Sequence, residues 1–326
     1  MRIGIVGTGR MGGIFAAALA ELDDVDLSIA GSRPGRADAL AAATGARAAD
    51  DPAGLIGSVD AVVVAAASPA HPALLRLGIE AGIPLFCEKP LALDLAATDE
   101  IIKAAAAAGV EIQVGFQRRF DPDVAATRAA VESGAIGDVY LVRLAGHDRL
   151  PGDPEFIAES GGMERDLLIH DFDLVAFVTG RPVTGVLAMH GAGGFPDLAA
   201  YDEHGDVGVA AAILAIDGGA LGVVTGLRHH PAGHDVRLEV HGSKGAHAAG
   251  WDPKSPLRPE PGPRHQSFPD RFAAAYAAEM HAFVEMAAGK RPNPVPAVAA
   301  RRALAVAMAA ERSRLEGRPV PVAEIG

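Results

Sequence analysis

The 326-residue sequence predicts an α/β protein in two parts. A doubly wound parallel sheet comes first, followed by an α+β domain with a large, mostly antiparallel open sheet. Three observations carry this reading. Short, wholly apolar runs alternate with helical patterns through residues 1–115, as parallel strands covered on both faces do. After Phe116 the alternation gives way to consecutive strand-like runs. Between two of those runs stands Asp217-Gly218-Gly219, a hairpin signal.

The elements follow in order. RIGIV (2–6) leads into a helix over 11–22, and DLSIA (26–30) into one near 35–44. DAVVVAA (60–66) precedes a helix over 72–81, PLFCE (84–88) one over 94–108, and VEIQVG (110–115) closes the series. FDPDVAATRAAVESGAIG (120–137) then reads as a helix ending at a glycine turn. The later strands are VYLVRLAG (139–146), VTGVLAMH (183–190), VGVAAAILAID (207–217), ALGVVTGL (220–227) and DVRLEVHG (235–242). MERDLLIHDFDLVAF (163–177) reads as a helix between the first two of these. WDPKSPLRPEPGPRHQSFP (251–269) is a proline-rich loop, and helices near 270–288 and 297–316 end the chain. The expected domains are 1–118, binding a dinucleotide, and 119–326, for substrate and oligomerisation, with the closing helices able to pack back on the first domain.

A formal charge of −12 argues against a nucleic-acid partner. One cysteine, Cys87, leaves no internal disulfide and fits a reducing compartment. The opening MRIGIVGTG has no secretory pattern, and apolar runs such as AVVVAAA (61–67) are too short to span a bilayer. No membrane partner and a cytoplasmic location are expected.

GTGRMG (7–12) fits G-x-G-x-x-G between a strand and a helix. There the glycines permit a tight turn and let a pyrophosphate approach the backbone at the helix N-terminus. Gly7, Thr8, Gly9, Arg10, Met11 and Gly12 are therefore expected to bind a dinucleotide, which makes the first domain Rossmann-like. NAD binders usually present an acid at the end of the second strand. This chain reads AGSRPGR there, with Ser32 and Arg33 and no carboxylate. A hydroxyl and a guanidinium suit a 2′-phosphate, so NADP is favoured over NAD; the alternative is a solvated Arg33 and use of either cofactor.

CEKP (87–90) ends a parallel strand, where ligands of open α/β sheets bind. Glu88 and Lys89 are expected to be functional, and Pro90 fits a cis peptide bond. In the apolar 163–177 segment, Asp166, His170 and Asp173 recur at intervals of four and three, one face of a helix. Unpaired buried charge is costly, so the stripe faces water or something that uses it.

GTGRMG, SPAHP (68–72), CEKPLALD (87–94), VGFQRRFDP (114–122), SGGMERDLLIHDFDL (160–174) and DVRLEVHGSKGA (235–246) occur in that order. Together they resemble the Gfo/Idh/MocA oxidoreductases, most of all the inositol 2-dehydrogenase-like branch. The resemblance covers nearly the whole chain. It implies a catalytic group of Lys89, Asp166 and His170. Further cofactor contacts are implied at Ser68, Pro69, His71, Glu88, Lys89 and Gln117, and substrate contacts at Arg118, His147 and His234. It also implies a homodimer or homotetramer.

The chemistry agrees with that assignment. Oxidising a secondary alcohol requires a base for the hydroxyl proton while hydride leaves for nicotinamide, and histidine suits that task near neutrality. Asp166 can hold its tautomer, and Lys89 can stabilise a developing alkoxide. His147, Asp166, His170, Asp171 and Asp173 could also be read as metal ligands, but a lysine beside the histidine opposes a second cation, and no metal is expected. The expected reaction is NAD(P)-dependent oxidation of a ring alcohol of a sugar or inositol, or its reverse. A redox-neutral NAD-dependent glycosidase of the same family and a non-catalytic sensor are the alternatives. One departure bears on the substrate: Gly233-His234-Asp235 stands where inositol dehydrogenases often read G-Y-D. That opens the choice to other cyclitols and aldoses.

Overall fold

Apolar β-rich runs too short to be helices, each followed by an amphipathic stretch, can bury both faces only by pairing in parallel beneath helices. The computed structural model describes residues 1–191, 193–258 and 262–326. It separates them into a unit of Met1–Gln117 with Ala274–Arg301 and a unit of Arg118–Ala273 with Arg302–Gly326.

In the first unit, strands β1 (Arg2–Val6), β2 (Asp26–Ala30), β3 (Arg47–Ala48), β4 (Ala61–Val64), β5 (Leu85–Glu88) and β6 (Ile112–Gly115) are all parallel. Their order is β3-β2-β1-β4-β5-β6. The order reverses at β1, so the crevice that receives ligands opens at the carboxyl ends of β1 and β4. Every residue of β4 and β5 is buried, as strands covered on both faces require. The helices Arg10–Ala20, Arg36–Thr44, His71–Glu80 and Leu95–Ala108 fall within a residue or two of the expected bounds. The two-residue β3 and the short helix Pro52–Ile56 are not anticipated from the pattern. The helix has a local signal, since Asp51 caps it by accepting from the Gly54 N–H at 2.8 Å.

Within 119–326, whose closing helices are expected to be able to pack back on the first domain, residues 274–301 group with the first unit. Aromatic packing explains it. Phe15 meets Phe86 and Tyr276 with ring centroids 5.0 and 6.0 Å apart, and Phe86 meets Phe283 at 5.8 Å. Edge-to-face contacts at such distances stabilise beyond the area they bury. Tyr276 and Phe283 lie on the helix Phe268–Ala287, whose backbone leaves the helical region once, at Phe272 (φ −113°, ψ 19°).

In the second unit, the described strands are β7 (Val139–His147), β8 (Val183–His190), β9 (Val209–Ile216), β10 (Leu221–Leu227), β11 (Asp235–Gly242), β12 (Gly245–Ala249) and β13 (Val320–Pro321). They form one sheet in the order β12-β11-β7-β10-β9-β8-β13. The pairs are antiparallel except β7 with β10, which run together. The expected hairpin at Asp217-Gly218-Gly219 joins β9 to β10. One sheet face turns Val142, Leu144, Leu214, Val224, Leu238 and Val240 inwards, in one core with Phe172, Val175 and Val178 of the helix Ile169–Thr179 and with Val306, Ala307 and Ala310. Each such side chain, fully buried, stabilises by roughly 1.5–3 kcal/mol. The opposite face carries Met189, Ile213 and Leu221, which are 70, 50 and 51% exposed.

Two details differ from the sequence reading. The single helix expected over 163–177 is instead a wide π turn, Glu164–Leu168, running into Ile169–Thr179. The glycine-terminated helix over 120–137 is helical only over Pro122–Glu132. Residues 259–261 of the proline-rich 251–269 stretch lie outside the described residues, and Phe268 already begins the next helix.

Candidate active site

Because the first sheet is wholly parallel, every strand delivers its carboxyl end to one edge. The segments Gly7–Gly12, Ser32–Arg33, Ser68–Pro69, Glu88–Lys89 and Gln117 all follow or end strands at that edge. Gly7 has φ +126°, open to glycine and rarely to other residues. A Cβ on Gly12 would strike the carbonyl oxygen of Gly7, so this third glycine is needed for close packing of turn and helix. A Cβ on Gly9 would meet nothing within 4 Å. The protein's own packing does not require that glycine; a diphosphate lying against the turn would. The helix Arg10–Ala20 begins at Gly9 with no side-chain cap and no acid in its first turn. Its N-terminal N–H groups and dipole thus suit an anion. These residues fit a dinucleotide.

Beyond β2, Ser32 and Arg33 are exposed. After β4, Ser68 is half-buried and Pro69 exposed, while His71 is buried. The His71 ring lies between two carbonyl oxygens, with Nδ1 2.8 Å from that of Pro90 and Nε2 3.0 Å from that of Ala66. Burial nevertheless pulls its pKa down. Both ring nitrogens are thus engaged by backbone, and His71 ties the loop after β4 to the loop after β5. The Lys89–Pro90 bond is cis. Glu88 is buried, and its carboxylate accepts the Lys89 backbone N–H at 3.0 Å. Gln117 is buried at the end of this unit's first segment.

In the second unit a buried arginine, Arg228, holds Asp166. Asp166 lies on the π turn and His170 on the first turn of the following helix, with His170 buried. Arg228, 2% exposed, donates from Nη1 to the Asp166 Oδ2 at 2.6 Å. It also lies 3.8 Å from Asp148 and 3.9 Å from Asp206. Burial alone would lower the pKa of Arg228, but Asp166, Asp148 and Asp206 outweigh it and raise it. His234 is buried, with Nδ1 3.6 Å from Asp148 and its ring edge-to-face with Phe272. Its Nε2 makes no hydrogen bond among the described residues. Burial, with Arg118, His265 and Arg271 nearby, holds its pKa down at about 3, so His234 is neutral.

The rest of the acidic stripe is already paired. Arg118 points inward and donates to Asp171 at 2.7 Å; both are buried. Arg119 holds Asp173 through two hydrogen bonds. Burial pushes both carboxyls up, and their arginines offset part of that. Asp171 approaches so closely that a Cβ on Gly146 of β7 would lie 2.6 Å from its Oδ2. The five residues that could be read as metal ligands therefore do not converge, since Asp166, Asp171 and Asp173 each hold a different arginine. His147 instead meets Thr225 at 3.1 Å through Nε2 and Asp235 at 3.4 Å through Nδ1, with the His230 ring 5.4 Å away. Arg237 occupies both oxygens of Asp235, at 2.8 and 2.9 Å, so this cluster already contains its cation.

Sequence reasoning missed Arg228, Asp148 and Asp206. The one available signal is a charge placed directly after the strand-like ALGVVTGL run. It says nothing of the three carboxylates that the fold brings to it.

Two family models account for most of the chain. Residues 1–116 match an oxidoreductase family with an NAD-binding Rossmann fold, and residues 124–247 match the GFO/IDH/MocA C-terminal domain. The chain belongs to the Gfo/Idh/MocA family. It is an oxidoreductase with an NAD-binding Rossmann domain. Among its relatives within the family, the myo-inositol dehydrogenase Hyg17 of Streptomyces leeuwenhoekii is 39% identical, covering 99% of this chain and 100% of the relative. The inositol 2-dehydrogenase of Rhizobium meliloti is 34% identical over 99% of each chain. The solved scyllo-inositol dehydrogenase of Lactobacillus casei, with NAD(H) and scyllo-inositol bound, superposes with a TM-score of 0.91 at 27% identity over 99% of each chain. No helix among the described residues is long and apolar enough to cross a membrane.

Proposed function

We propose that this protein oxidises one secondary alcohol of an inositol or a closely related ring sugar to the ketone, or catalyses the reverse reduction. The observation that carries the reading is likeness over the full chain to inositol dehydrogenases, one of them solved with NAD(H) and scyllo-inositol. The dinucleotide, bound over Gly7–Gly12, supplies the hydride acceptor at nicotinamide. His170 takes the hydroxyl proton at an imidazole nitrogen as the carbinol C–H bond breaks. Asp166, itself fixed by Arg228, favours the imidazolium that results. Lys89 supplies positive charge to the alkoxide. His234, neutral and buried, presents an imidazole nitrogen to a substrate hydroxyl, with Arg118 and His147 as further contacts.

Ser32 and Arg33, exposed just past β2 with no carboxylate between them, support use of NADP in preference to NAD. The apolar outward face of the second sheet supports a homodimer or homotetramer. A single buried cysteine fits the cytoplasm.

The test is formation of reduced cofactor with a panel of inositols and aldoses, run with NAD and with NADP. Turnover of one ring polyol is expected, faster with NADP. Cleavage of a glycoside without accumulation of reduced cofactor would overturn the dehydrogenase reading in favour of redox-neutral hydrolysis. Equal or better turnover with NAD would remove the role given to Arg33 alone.

A further inference from the structure

The stretch after β12 presses on His234 and takes part in no step above. Gly233 has φ +142°, and a Cβ there would come within 3.1 Å of the Arg264 Cβ and the His265 carbonyl oxygen and 3.3 Å of the Pro256 Cβ. Glycine alone admits so close an approach in that conformation. The next residue, His234, donates its backbone N–H to the His265 carbonyl at 2.8 Å, and its ring meets Phe272 edge-to-face at 6.4 Å. From the other side, His230 Nδ1 lies 2.8 Å from the Gly233 carbonyl oxygen. His265 is itself clasped. Its ring is buried, with Nε2 2.9 Å from Asp252 Oδ2 and Nδ1 3.5 Å from Asp270 Oδ2. Both carboxylates also cap the main chain nearby: Asp252 accepts the Lys254 N–H at 2.7 Å, and Asp270 accepts the Gln266 N–H at 3.0 Å. Arg271 lies 3.7 Å from Asp252 and donates to Asp121 at 2.6 Å, which anchors the clasp to the start of the helix Pro122–Glu132. The His265 ring therefore joins the outgoing residues 252–256 to the returning residues 264–270, and its carbonyl passes that constraint to His234.

We propose that His265 is a positioning residue for His234 and, through it, a determinant of which ring polyol is accepted. Held between Asp252 and Asp270, His265 fixes the main chain that receives the His234 N–H, while Phe272 packs against the His234 ring. Nδ1 of His234 faces Asp148 across 3.6 Å, so the single proton of the neutral ring sits on that nitrogen and Nε2 keeps its lone pair. Nε2 is buried without a hydrogen-bond partner among the described residues, and it accepts from one substrate hydroxyl. A polyol with no hydroxyl at that place leaves the nitrogen buried and unpaired, and this is the source of discrimination. Displacing the ring by a fraction of an ångström spoils the same contact. The consequence for substrate rests on the dehydrogenase reading; the link from His265 to His234 does not.

The comparison that tests this is wild type, His265→Gln and His265→Leu in the full chain. Gln can still donate to Asp252 from its amide nitrogen, whereas Leu fills the space without a donor. Amide hydrogen exchange at His234, read by NMR, is expected to speed up about tenfold in His265→Leu as its acceptor loosens, and to stay at the wild-type rate in His265→Gln. With myo-inositol and scyllo-inositol as substrates, His265→Leu should raise KM about tenfold, the worth of one buried hydrogen bond. Its kcat should stay near the wild-type value, and His265→Gln should restore KM. Unchanged exchange at His234 in His265→Leu overturns the clasp whether or not either inositol is turned over. Faster exchange with KM unmoved overturns the role in specificity, as does a loss confined to kcat. Should His265→Leu fail to fold in a thermal melt, Asp252→Asn, isosteric and half-buried, carries the same comparison with the same expected directions.

Discussion

Arg228 holds Asp166, four residues before the proposed base: Nη1 donates to Oδ2 at 2.6 Å, from an arginine that is 2% exposed. Breaking a buried ion pair by removing one member costs about 3–5 kcal/mol, because the other charge stays behind. Here three carboxylates share the guanidinium. Arg228→Met is therefore expected to lower the melting temperature and also to reduce kcat, since Asp166 loses the group that fixes it. Thermal unfolding with steady-state kinetics checks both. Unchanged kcat in a folded Arg228→Met protein would detach Arg228 from the chemistry.

His170→Ala removes the proposed base without touching the glycine turn proposed to bind the dinucleotide. A positioned acid or base contributes about 10²–10⁴-fold, and kcat should fall within that range. NAD affinity, read by fluorescence titration, should stay put. Lys89→Met should show a similar loss, with polyol KM less affected than kcat.

His234 makes the protein acid-sensitive in a defined direction. Its pKa is about 3 in the folded state against an ordinary 6.5. Above pH 6.5 it is neutral folded or unfolded and has no effect. Below 6.5 the unfolded chain takes up a proton that the native site refuses, so stability falls by up to about 1.4 kcal/mol per pH unit until the folded pKa is reached. Urea midpoints at pH 7 and pH 4.5 should therefore converge in His234→Tyr relative to wild type. The same substitution should change which polyol is turned over, because it replaces a ring nitrogen by a phenol in the substrate unit.

The π turn is braced from the last helix. Arg314 Nε donates to Glu164 Oε1 at 2.9 Å, and Arg165 meets Glu311 alongside it. Burial pushes the Glu164 carboxyl up, and Arg314 offsets this. Arg314→Met is expected to lower stability by about 3 kcal/mol and to reduce kcat, since Glu164 is two residues from Asp166. Arg312→Ala, an exposed i,i+4 partner of Glu316 on the same helix, should cost less than 1 kcal/mol and serves as the control in denaturant melts.

Much of the fold could be read in sequence because its signals are local. Wholly apolar runs such as AVVV at 61–64 mark strands buried on both faces, and Asp217-Gly218-Gly219 marks its hairpin. The turn at Gly7 and the cis Lys89–Pro90 bond are legible for the same reason: each sits in a short pattern with a conformational meaning. What escaped depends on pairing at long range. Arg228 matters because β10 runs beside β7 and places it against Asp148, while the π turn brings Asp166 to the same guanidinium. Asp173 looks like a member of the stripe until Arg119, 54 residues earlier, takes both its oxygens. The π turn escaped because the segment is apolar nearly all round, with Leu167, Leu168, Ile169, Phe172, Leu174 and Val175 all buried, so an extra residue in one turn breaks no visible stripe.

The parallel pairing of β7 with β10 also imposes a schedule on synthesis. β7 sits inside its sheet between β10 and β11, yet both partners come off the ribosome far behind it, after the whole stretch that carries Asp166 and His170. Until residues 221–242 emerge, an apolar strand waits with both edges unpaired, open to the wrong neighbour. Nascent chains arrested before β11 should bind chaperones, and those released after it should not. A rare-codon pause placed between β9 and β11 should therefore lower the yield of folded protein even though it alters no residue of the finished molecule.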